Sequence, residues 1–303
     1  MARQHPILFG LAWVATALFA PGCSDGSSRA APEPSATPRR VVVLAPAAAE
    51  MMEALGVLDR VVGVGEFGPW PPALATAPRV GGYDAPNVER ALELRAEAVL
   101  TASSVAAAPA HTRLEALSIQ VAALDTSTFQ GVFASLDQVG RLFGKEREAA
   151  AIAAAMRQEL SAIEARAAGL ARPGVLFVVG RDPLFVAGPG SHVDEMIRIA
   201  GGRNVAADVG APYQQASLEA LLERRPEVIV DTSDNHPGAP RGREAGSWGR
   251  WEFLPAVRNR RVYQVDPGRL AIPGLRLPAM TRLMARLIHP EVFGEVTTAE
   301  LGP

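Results

Sequence analysis

The sequence of 303 residues contains a single cysteine, Cys23. An intramolecular disulfide is therefore impossible, and the fold must rest on its apolar core. The formal charge at pH 7 is only -2, so the chain lacks the basic excess that nucleic-acid binding favours. With 48% hydrophobic and 20% charged residues the composition is that of a globular protein, and the length allows two domains.

The N-terminal apolar run, Ile7 to Ala20, is shorter than the about 20 residues that a membrane-spanning helix needs. It follows the basic Arg3 and ends before Pro21-Gly22-Cys23, an arrangement typical of a secretory signal. Cys23 stands where a bacterial lipoprotein would be cleaved and lipidated. The alternative is a plain secretion signal with an incidental cysteine. We predict a lipoprotein signal over residues 1–23 and a periplasmic or extracytoplasmic protein anchored to the inner or the outer membrane.

Residues 24–38 are rich in Ser, Ala and Pro and have no apolar periodicity, which predicts a flexible tether. Beyond them, short apolar runs alternate with helical patterns in two successive halves, and this indicates doubly wound sheets. We predict an α/β fold of two Rossmann-like lobes with parallel sheets, joined by a single long α-helix. The predicted boundaries are 39–130 for the N-terminal lobe, 131–171 for the connecting helical segment, 172–291 for the C-terminal lobe and 292–303 for a tail. A ligand then belongs between the lobes, at the carboxyl ends of the strands.

Two patterns resemble catalytic or cofactor-binding motifs but lack the required context. The GxGxxG pattern at 63–68 is followed by Pro69-Trp70-Pro71-Pro72, where a dinucleotide site needs a helix. Ser191, His192 and Asp194 have the residue types of a hydrolase triad but lie too close together to form a relay. They predict a capped helix start instead. We expect no catalytic residue; an extracytoplasmic enzyme remains the alternative of another class.

The histidines beyond the signal are too scattered for a metal site. They are His111, His192, His236 and His289. We expect each of them on the surface or in a loop, and we expect no metal and no cofactor.

Several short segments follow one another between about residues 40 and 290 in an order typical of a known family. They are Arg40-Val41-Val42-Val43-Leu44-Ala45-Pro46 with Glu50, Val61-Val62-Gly63-Val64, Trp70-Pro71-Pro72, Val80-Gly81-Gly82-Tyr83, Pro86-Asn87-Val88-Glu89, Gly188-Pro189-Gly190-Ser191, Ala200-Gly201-Gly202-Arg203-Asn204, Ser217-Leu218-Glu219 and Ala256-Val257-Arg258-Asn259. The chain resembles the cobalamin-type periplasmic binding proteins of ABC importers, whose two lobes are joined by one rigid helix. The resemblance implies a monomer that captures a corrinoid and hands it, unchanged, to a permease dimer.

A corrin ring is a broad, largely apolar disc with amide arms, which aromatic side chains and a few polar groups can hold. By resemblance, the expected ligand-binding residues are Phe67, Trp70, Tyr83, Phe185, Tyr213 and Asp266. Leu270 and Ile272 stand where the family often has a basic residue. The resemblance also implies that Glu89 and Glu219, at equivalent helix starts, dock onto permease arginines, although the helix dipole favours acids there anyway.

Two other ligand classes remain open for the same fold. A ferric siderophore site usually needs basic residues, whereas a haem site needs a Tyr or His ligand to iron. Tyr83 and Tyr213 keep the haem alternative open.

Overall fold

The computed structural model describes residues 37–105, 108–233 and 246–302. Cys23, the signal segment, most of the tether and His236 lie outside the described residues. The strands are β1 (Val41–Val43), β2 (Val61–Val64), β3 (Ala98–Ala102), β4 (Gln120–Leu124), β5 (Gly174–Arg181), β6 (Leu184–Ala187), β7 (Arg203–Asn204), β8 (Tyr213–Gln215), β9 (Val228–Asp231) and β10 (Val262–Gln264). The α-helices are α1 (Pro46–Ala54), α2 (Val88–Glu93), α3 (Pro109–Ala116), α4 (Phe129–Phe143), α5 (Glu146–Ala167), α6 (His192–Ile199), α7 (Leu218–Glu223), α8 (Pro255–Arg258), α9 (Pro267–Leu270), α10 (Leu277–Ile288), α11 (Pro290–Phe293) and α12 (Thr298–Leu301).

The first lobe contains a four-stranded parallel sheet with the strand order β2-β1-β3-β4. Val41 and Val43 of the central strand pack in the core that includes α1 and α4. Val42 and Leu44 face the opposite core, which includes residues of α2 and α3. Both sheet faces are therefore covered by helices, as the continuous apolar run of the central strand requires. The predicted doubly wound, parallel first lobe is confirmed.

The sheet of the second lobe has the order β10-β9-β5-β6-β8, and β7 also pairs with β5. Strands β5, β9 and β10 are parallel, but β6 and β8 extend the sheet in antiparallel fashion. The prediction of an all-parallel sheet is therefore wrong for this lobe. The physical reason is the connection between β5 and β6, which consists only of Asp182 and Pro183. Two residues can join antiparallel strands, whereas parallel strands need a crossover of a dozen residues or more.

The connecting segment consists of two helices, because Gly144 ends α4 in the left-handed conformation with φ of 65°. Helix α5 follows with 22 residues and is about 33 Å long. Its buried stripe includes Met156, Leu160 and Ile163, and it contacts α4, α6 and α10. The single long helix between the lobes is thus α5. No helix of the described ranges is both long and apolar enough to cross a membrane.

Candidate functional site

Two contacts join segments of the first lobe to segments of the second. The backbone N–H of His192 donates to the carbonyl of Ser127, just beyond β4, at 3.1 Å. Glu50 of α1 forms an ion pair of 3.1 Å with Arg276, which precedes α10. Since ligands of open α/β sheets bind outside the carboxyl ends of the strands, the cleft at this junction is the candidate site.

The first lobe presents two exposed aromatic side chains in neighbouring loops. Phe67 is 71% exposed and Tyr83 is 49% exposed. The N–H of Glu66 donates to the carbonyl of Gly81 at 2.8 Å and so ties the two loops together. Both rings offer apolar surface to a ligand without any change in the packing of the lobe.

Trp70 has a different environment from the other two predicted aromatic residues of its lobe. It is half-buried and packs against the first apolar core. A Cβ on Gly65 or Gly68 would lie 3.4 or 3.2 Å from the indole ring, so these glycines allow the ring to lie on the loop backbone. The indole nitrogen is buried and has no hydrogen-bond partner among the described residues. The structure therefore gives Trp70 a supporting position under the loop of Phe67.

The two predicted aromatic residues of the second lobe share one face of its sheet. The register pairs Phe185 with Gln215 and Ala187 with Tyr213, so these side chains point to the same side. Phe185 and Tyr213 are thus diagonal neighbours, with a Cα separation of roughly 7–8 Å. Each is 39% exposed. A pair of aromatic rings at an edge of the sheet forms a natural wall for a flat ligand.

The Tyr213 hydroxyl is held by a buried histidine. It lies 2.8 Å from Nδ1 of His192, and Nε2 of the same ring lies 3.4 Å from the carbonyl of Leu270. A neutral imidazole with its proton on Nε2 satisfies both contacts, because Nδ1 then accepts from the phenol. Burial lowers the pKa of His192 to about 4 and raises the pKa of Tyr213. Tyr213 is therefore a protonated phenol at neutral pH.

The last predicted ligand-binding residue, Asp266, is half-buried and caps helix α9. Its Oδ1 accepts from the N–H of Gly268 at 2.7 Å. The aspartate lies at the carboxyl end of β10, where the prediction requires it, but one oxygen atom already serves the helix cap.

The sequence analysis missed a polar cluster at the carboxyl ends of β5, β9 and β10. Arg181 ends β5 and its Nη2 lies 2.5 Å from Oδ2 of Asp231, which ends β9. Gln264 ends β10, and its Oε1 lies 3.5 Å from the same nitrogen. An acid at the end of an apolar run, as in Val228-Ile229-Val230-Asp231, is the sequence signal that could have revealed the cluster.

Acidic residues dominate the carboxyl ends of the parallel strands. Counting the last strand residue and the two that follow it, the two lobes contribute five acids and one base. They are Glu66, Asp125, Asp182, Asp231, Asp266 and Arg181. Asp231 and Arg181 pair with each other, so the net excess comes from the other four acids, and it favours neutral or cationic ligands over anionic ones.

The two predicted docking glutamates lie on equivalent exposed helix starts but have different partners. Glu89, in the first turn of α2, forms an ion pair of 2.9 Å with Arg113. Glu219, in the first turn of α7, accepts from the hydroxyl of the N-cap residue Ser217 at 2.9 Å. Hydrogen bonds from its own backbone N–H and from Ser217 lower the pKa of Glu219. Both carboxylates are exposed.

His289 lies in a loop as predicted, between α10 and α11, whereas the prediction is wrong for His111 and His192, which lie in the helices α3 and α6. His111, His192 and His289 are all buried, because their rings pack within the lobes and, for the latter two, accept or donate hydrogen bonds there. Ser191 caps α6 as predicted, accepting from the N–H of Asp194 at 3.0 Å. Within the described ranges, no three His, Cys, Asp or Glu side chains form a cluster suited to a metal ion.

A groove of about 430 Å³ lies apart from the predicted aromatic residues. Its polar lining includes Arg269, Arg276, Arg282, Arg286, Glu159 and Glu300. Most of these charges are paired with one another or with Glu50, which leaves little free charge to bind a ligand.

Comparisons with known proteins agree with this architecture. The sequence profile described as periplasmic binding protein matches residues 41–268. An uncharacterized ABC transporter substrate-binding lipoprotein of Bacillus subtilis, YvrC, is 29% identical over 265 residues, which is 85% of this chain and 82% of that protein. The vitamin B12-binding protein of Salmonella typhimurium is 30% identical over 191 residues, covering 63% of this chain and 71% of that protein.

Among solved structures, a periplasmic haem binding protein from Pseudomonas aeruginosa matches with a TM-score of 0.73. Its identity is 27%, and the match covers 88% of this chain and 97% of that one. The chain therefore belongs to the periplasmic binding protein family, in the class of ABC-importer substrate-binding proteins whose two lobes are joined by one long helix.

Proposed function

We propose that this protein captures a corrinoid, with cobalamin as the preferred candidate, and delivers it to the permease of an ABC importer. The proposal rests on the combination of two features: both lobes have exposed aromatic side chains, and acids dominate the carboxyl ends of the parallel strands. Phe67 and Tyr83 are exposed in two neighbouring loops of the first lobe, and Phe185 and Tyr213 are partly exposed on one face of the second sheet. The ligand is bound and released without chemical change, outside the cytoplasm.

The chemistry of a corrinoid suits these surfaces. Its ring stacks on or against aromatic side chains, and its amide arms both donate and accept hydrogen bonds. The arms carry no net charge, so five strand-end acids impose little electrostatic cost. The relative from Salmonella typhimurium that is described as a vitamin B12-binding protein supports the same choice.

Haem is the second candidate, because a similar solved structure is a haem binding protein. A haem site of this kind needs a ligand to iron, and the propionates need positive charge. Tyr213 is a poor iron ligand, since its phenol donates to His192 and burial raises its pKa. Tyr83 is the better candidate, because its ring is 49% exposed. The acidic strand ends oppose both the propionates of haem and an anionic ferric siderophore.

Calorimetric titration tests the ligand. The purified protein, from Ser24 onward, is titrated with cyanocobalamin, haemin and a ferric hydroxamate in parallel. We expect one-to-one binding of cyanocobalamin at micromolar affinity or tighter, and weak or no binding of the other two. Binding of haemin or the hydroxamate without cobalamin would contradict the ligand and leave the transport role intact.

Variants of exposed aromatic residues test the cleft. Phe67→Ala and Phe185→Ala each remove a ring that is largely or partly exposed, so we expect a loss of cobalamin affinity with little change in stability. Phe253→Ala is the matched control: Phe253 is 54% exposed but lies beside α8, whose Ala256 contacts Pro226 at the amino end of β9. Equal affinity of all three variants and the wild type would place the ligand elsewhere.

Delivery rests on the two docking glutamates. We expect Glu89→Gln and Glu219→Gln to reduce uptake through the cognate permease while cobalamin affinity stays unchanged, because charge-assisted contacts with arginine are lost. Glu223→Gln, a substitution at an exposed position at the end of α7, is the control.

We also propose that Cys23 carries a lipid anchor. A Cys23→Ser protein should then be released from membranes by washing, whereas the wild type is retained.

A further inference from the structure

Tyr213 and helix α6 lie on the same face of the second sheet. Ala187 of β6 belongs to the core that includes residues of α6, whereas its neighbour Val186 belongs to a separate core. Tyr213 pairs with Ala187, and directly paired residues point to the same side of a sheet. The phenol therefore lies on the side of α6, where its hydroxyl meets His192 in the first turn of that helix.

His192 contacts three segments at the junction of the lobes. Its backbone N–H donates to the carbonyl of Ser127 in the first lobe at 3.1 Å. Its Nε2 lies 3.4 Å from the carbonyl of Leu270 at the end of α9, and its Nδ1 lies 2.8 Å from the hydroxyl of Tyr213. The histidine is only 3% exposed, so a bulky ligand has almost no access to it. His192 can therefore act on a ligand only through the residues that it holds.

The turn before α6 also fixes the backbone next to Tyr213. The N–H of Gly188 donates to the carbonyl of Pro212 at 2.8 Å. A Cβ on Gly188 would lie 2.3 Å from the carbonyl oxygen of Ala211, so glycine allows this close approach. Tyr213 is thus held near its backbone by this turn and at its hydroxyl by His192, while 39% of its surface stays exposed. A ring that is fixed at both ends and exposed between them is preorganised to receive a flat ligand.

We propose that His192 is a positioning residue, which accepts a hydrogen bond from the Tyr213 phenol and so holds the ring in the orientation that receives the ligand. This inference rests on the proposed capture of a corrinoid in contact with Tyr213. A neutral imidazole with its proton on Nε2 leaves Nδ1 free to accept, so the phenol keeps its proton. Without that acceptor the ring can turn about its side-chain torsions, and binding must then order it at a cost in affinity.

The test compares His192→Leu and His192→Asn with the wild type by calorimetric titration of cyanocobalamin. Leucine fills much of the space of the imidazole but accepts no hydrogen bond. We expect about a 3- to 10-fold loss of affinity, the usual cost of ordering one side chain on binding. Asparagine can place its amide oxygen close to the position of Nδ1, so this variant should keep most of the wild-type affinity.

A double-mutant cycle shows whether the effect passes through the hydroxyl. Tyr213→Phe removes that group, so we expect His192→Leu to cause little further loss of affinity in the Tyr213→Phe background. A purely structural role of the imidazole predicts the opposite, because the two losses would then add. Thermal melting of every variant checks the fold. If His192→Leu does not fold, Tyr213→Phe carries the test, because it removes the same hydrogen bond and should cost a similar factor in affinity.

His289→Leu is the matched control. His289 is also buried in the second lobe, but its Nε2 lies 3.3 Å from the carbonyl of Gly201, close to the pairing of Arg203 with Gly174 at the amino end of β5. Loss of this ring should lower the melting temperature without changing the affinity for cyanocobalamin.

A measurement without ligand examines the ring itself. The chain has three tyrosines, Tyr83, Tyr213 and Tyr263. In protein labelled with ¹³C at Cε of tyrosine, comparison with Tyr213→Phe assigns the Tyr213 signal. We expect ¹³C relaxation to report a more mobile Tyr213 ring in His192→Leu than in the wild type, with the wild-type value restored in His192→Asn.

The outcomes distinguish this inference from the proposed function. Unchanged ring mobility in His192→Leu, additive losses in the cycle, or wild-type affinity in Tyr213→Phe would overturn the positioning role and leave corrinoid capture intact. A wild type that binds no corrinoid would overturn the proposed function, and the relaxation measurement would then decide alone whether His192 positions Tyr213. An equal loss of affinity in His289→Leu would also contradict the inference, because it would trace the effect to destabilisation.

Discussion

The hydroxyl of Tyr213 is bound to a histidine that has almost no access to water. Removing that hydroxyl in Tyr213→Phe leaves Nδ1 of His192 without a donor, although its Nε2 contact remains. We expect a loss of about 1–3 kcal/mol in the free energy of unfolding, measured by urea denaturation. Tyr83→Phe is the matched control, since the Tyr83 hydroxyl makes no hydrogen bond within the described ranges, and its stability should equal that of the wild type.

The same histidine predicts how stability depends on pH. Burial lowers the pKa of His192 from 6.5 to about 4, so between these values the unfolded chain binds a proton that the folded chain does not. Above pH 6.5 the histidine is neutral in both states and the folded protein keeps its full stability. As the pH falls from 6.5 towards about 4, protonation of His192 in the unfolded chain lowers the free energy of unfolding by roughly 3 kcal/mol. Denaturation of the wild type and of His192→Gln across this range should give a flatter profile for the variant. Parallel profiles would contradict the assignment.

The family resemblance pointed to several aromatic side chains that the structure leaves exposed. Phe67, Tyr83, Phe185 and Tyr213 are all partly or largely exposed, which is uncommon for large aromatic residues. The position of Trp70 under the loop could not be predicted, because it depends on the close approach of the ring to Gly65 and Gly68. The pair of Arg181 and Asp231 was missed since 50 positions separate its members in sequence.

At the scale of the elements, Gly144 sets the junction between α4 and α5. Its φ of 65° is left-handed, and an added Cβ would meet no atom within 4 Å. Gly144→Ala should therefore lower the free energy of unfolding by about 1–2 kcal/mol through backbone strain alone. Gly144→Asn is the informative control, because asparagine tolerates this conformation better. A similar cost for both substitutions in thermal melts would point to a different cause.

The elements themselves were predicted well where the apolar pattern was continuous and bounded by turn residues. The first sheet, β1 to β4, is parallel as the alternation of apolar runs and helical patterns predicted. Strands β6 and β8 were missed because Leu184–Ala187 and Tyr213–Gln215 are short and partly exposed, which weakens their pattern. The antiparallel direction of β6 follows from the two-residue loop that joins it to β5. Hydrophobic periodicity alone does not indicate the direction of a strand.

At the scale of the whole molecule, the lobes are held by packing along α5 and by contacts such as the Glu50–Arg276 ion pair. We expect small lobe motion on binding, with the radius of gyration from X-ray scattering changing by less than about 1 Å when cobalamin is added. A large contraction on binding would instead indicate a wide hinge closure.

Glu50→Gln weakens an ion pair whose arginine is half-exposed, so its effect on the free energy of unfolding should be about 1 kcal/mol at most.

Within the described ranges the chain crosses between the two sheets only once, and this has a consequence for folding. All strands of the first sheet lie between residues 41 and 124, and those of the second lie between 174 and 264. Each described strand of the first sheet pairs only with strands of that sheet, so none depends on a later segment of the chain. The first sheet can therefore complete its hydrogen bonding before the second has formed, which shortens the time that its edges stay open to aggregation.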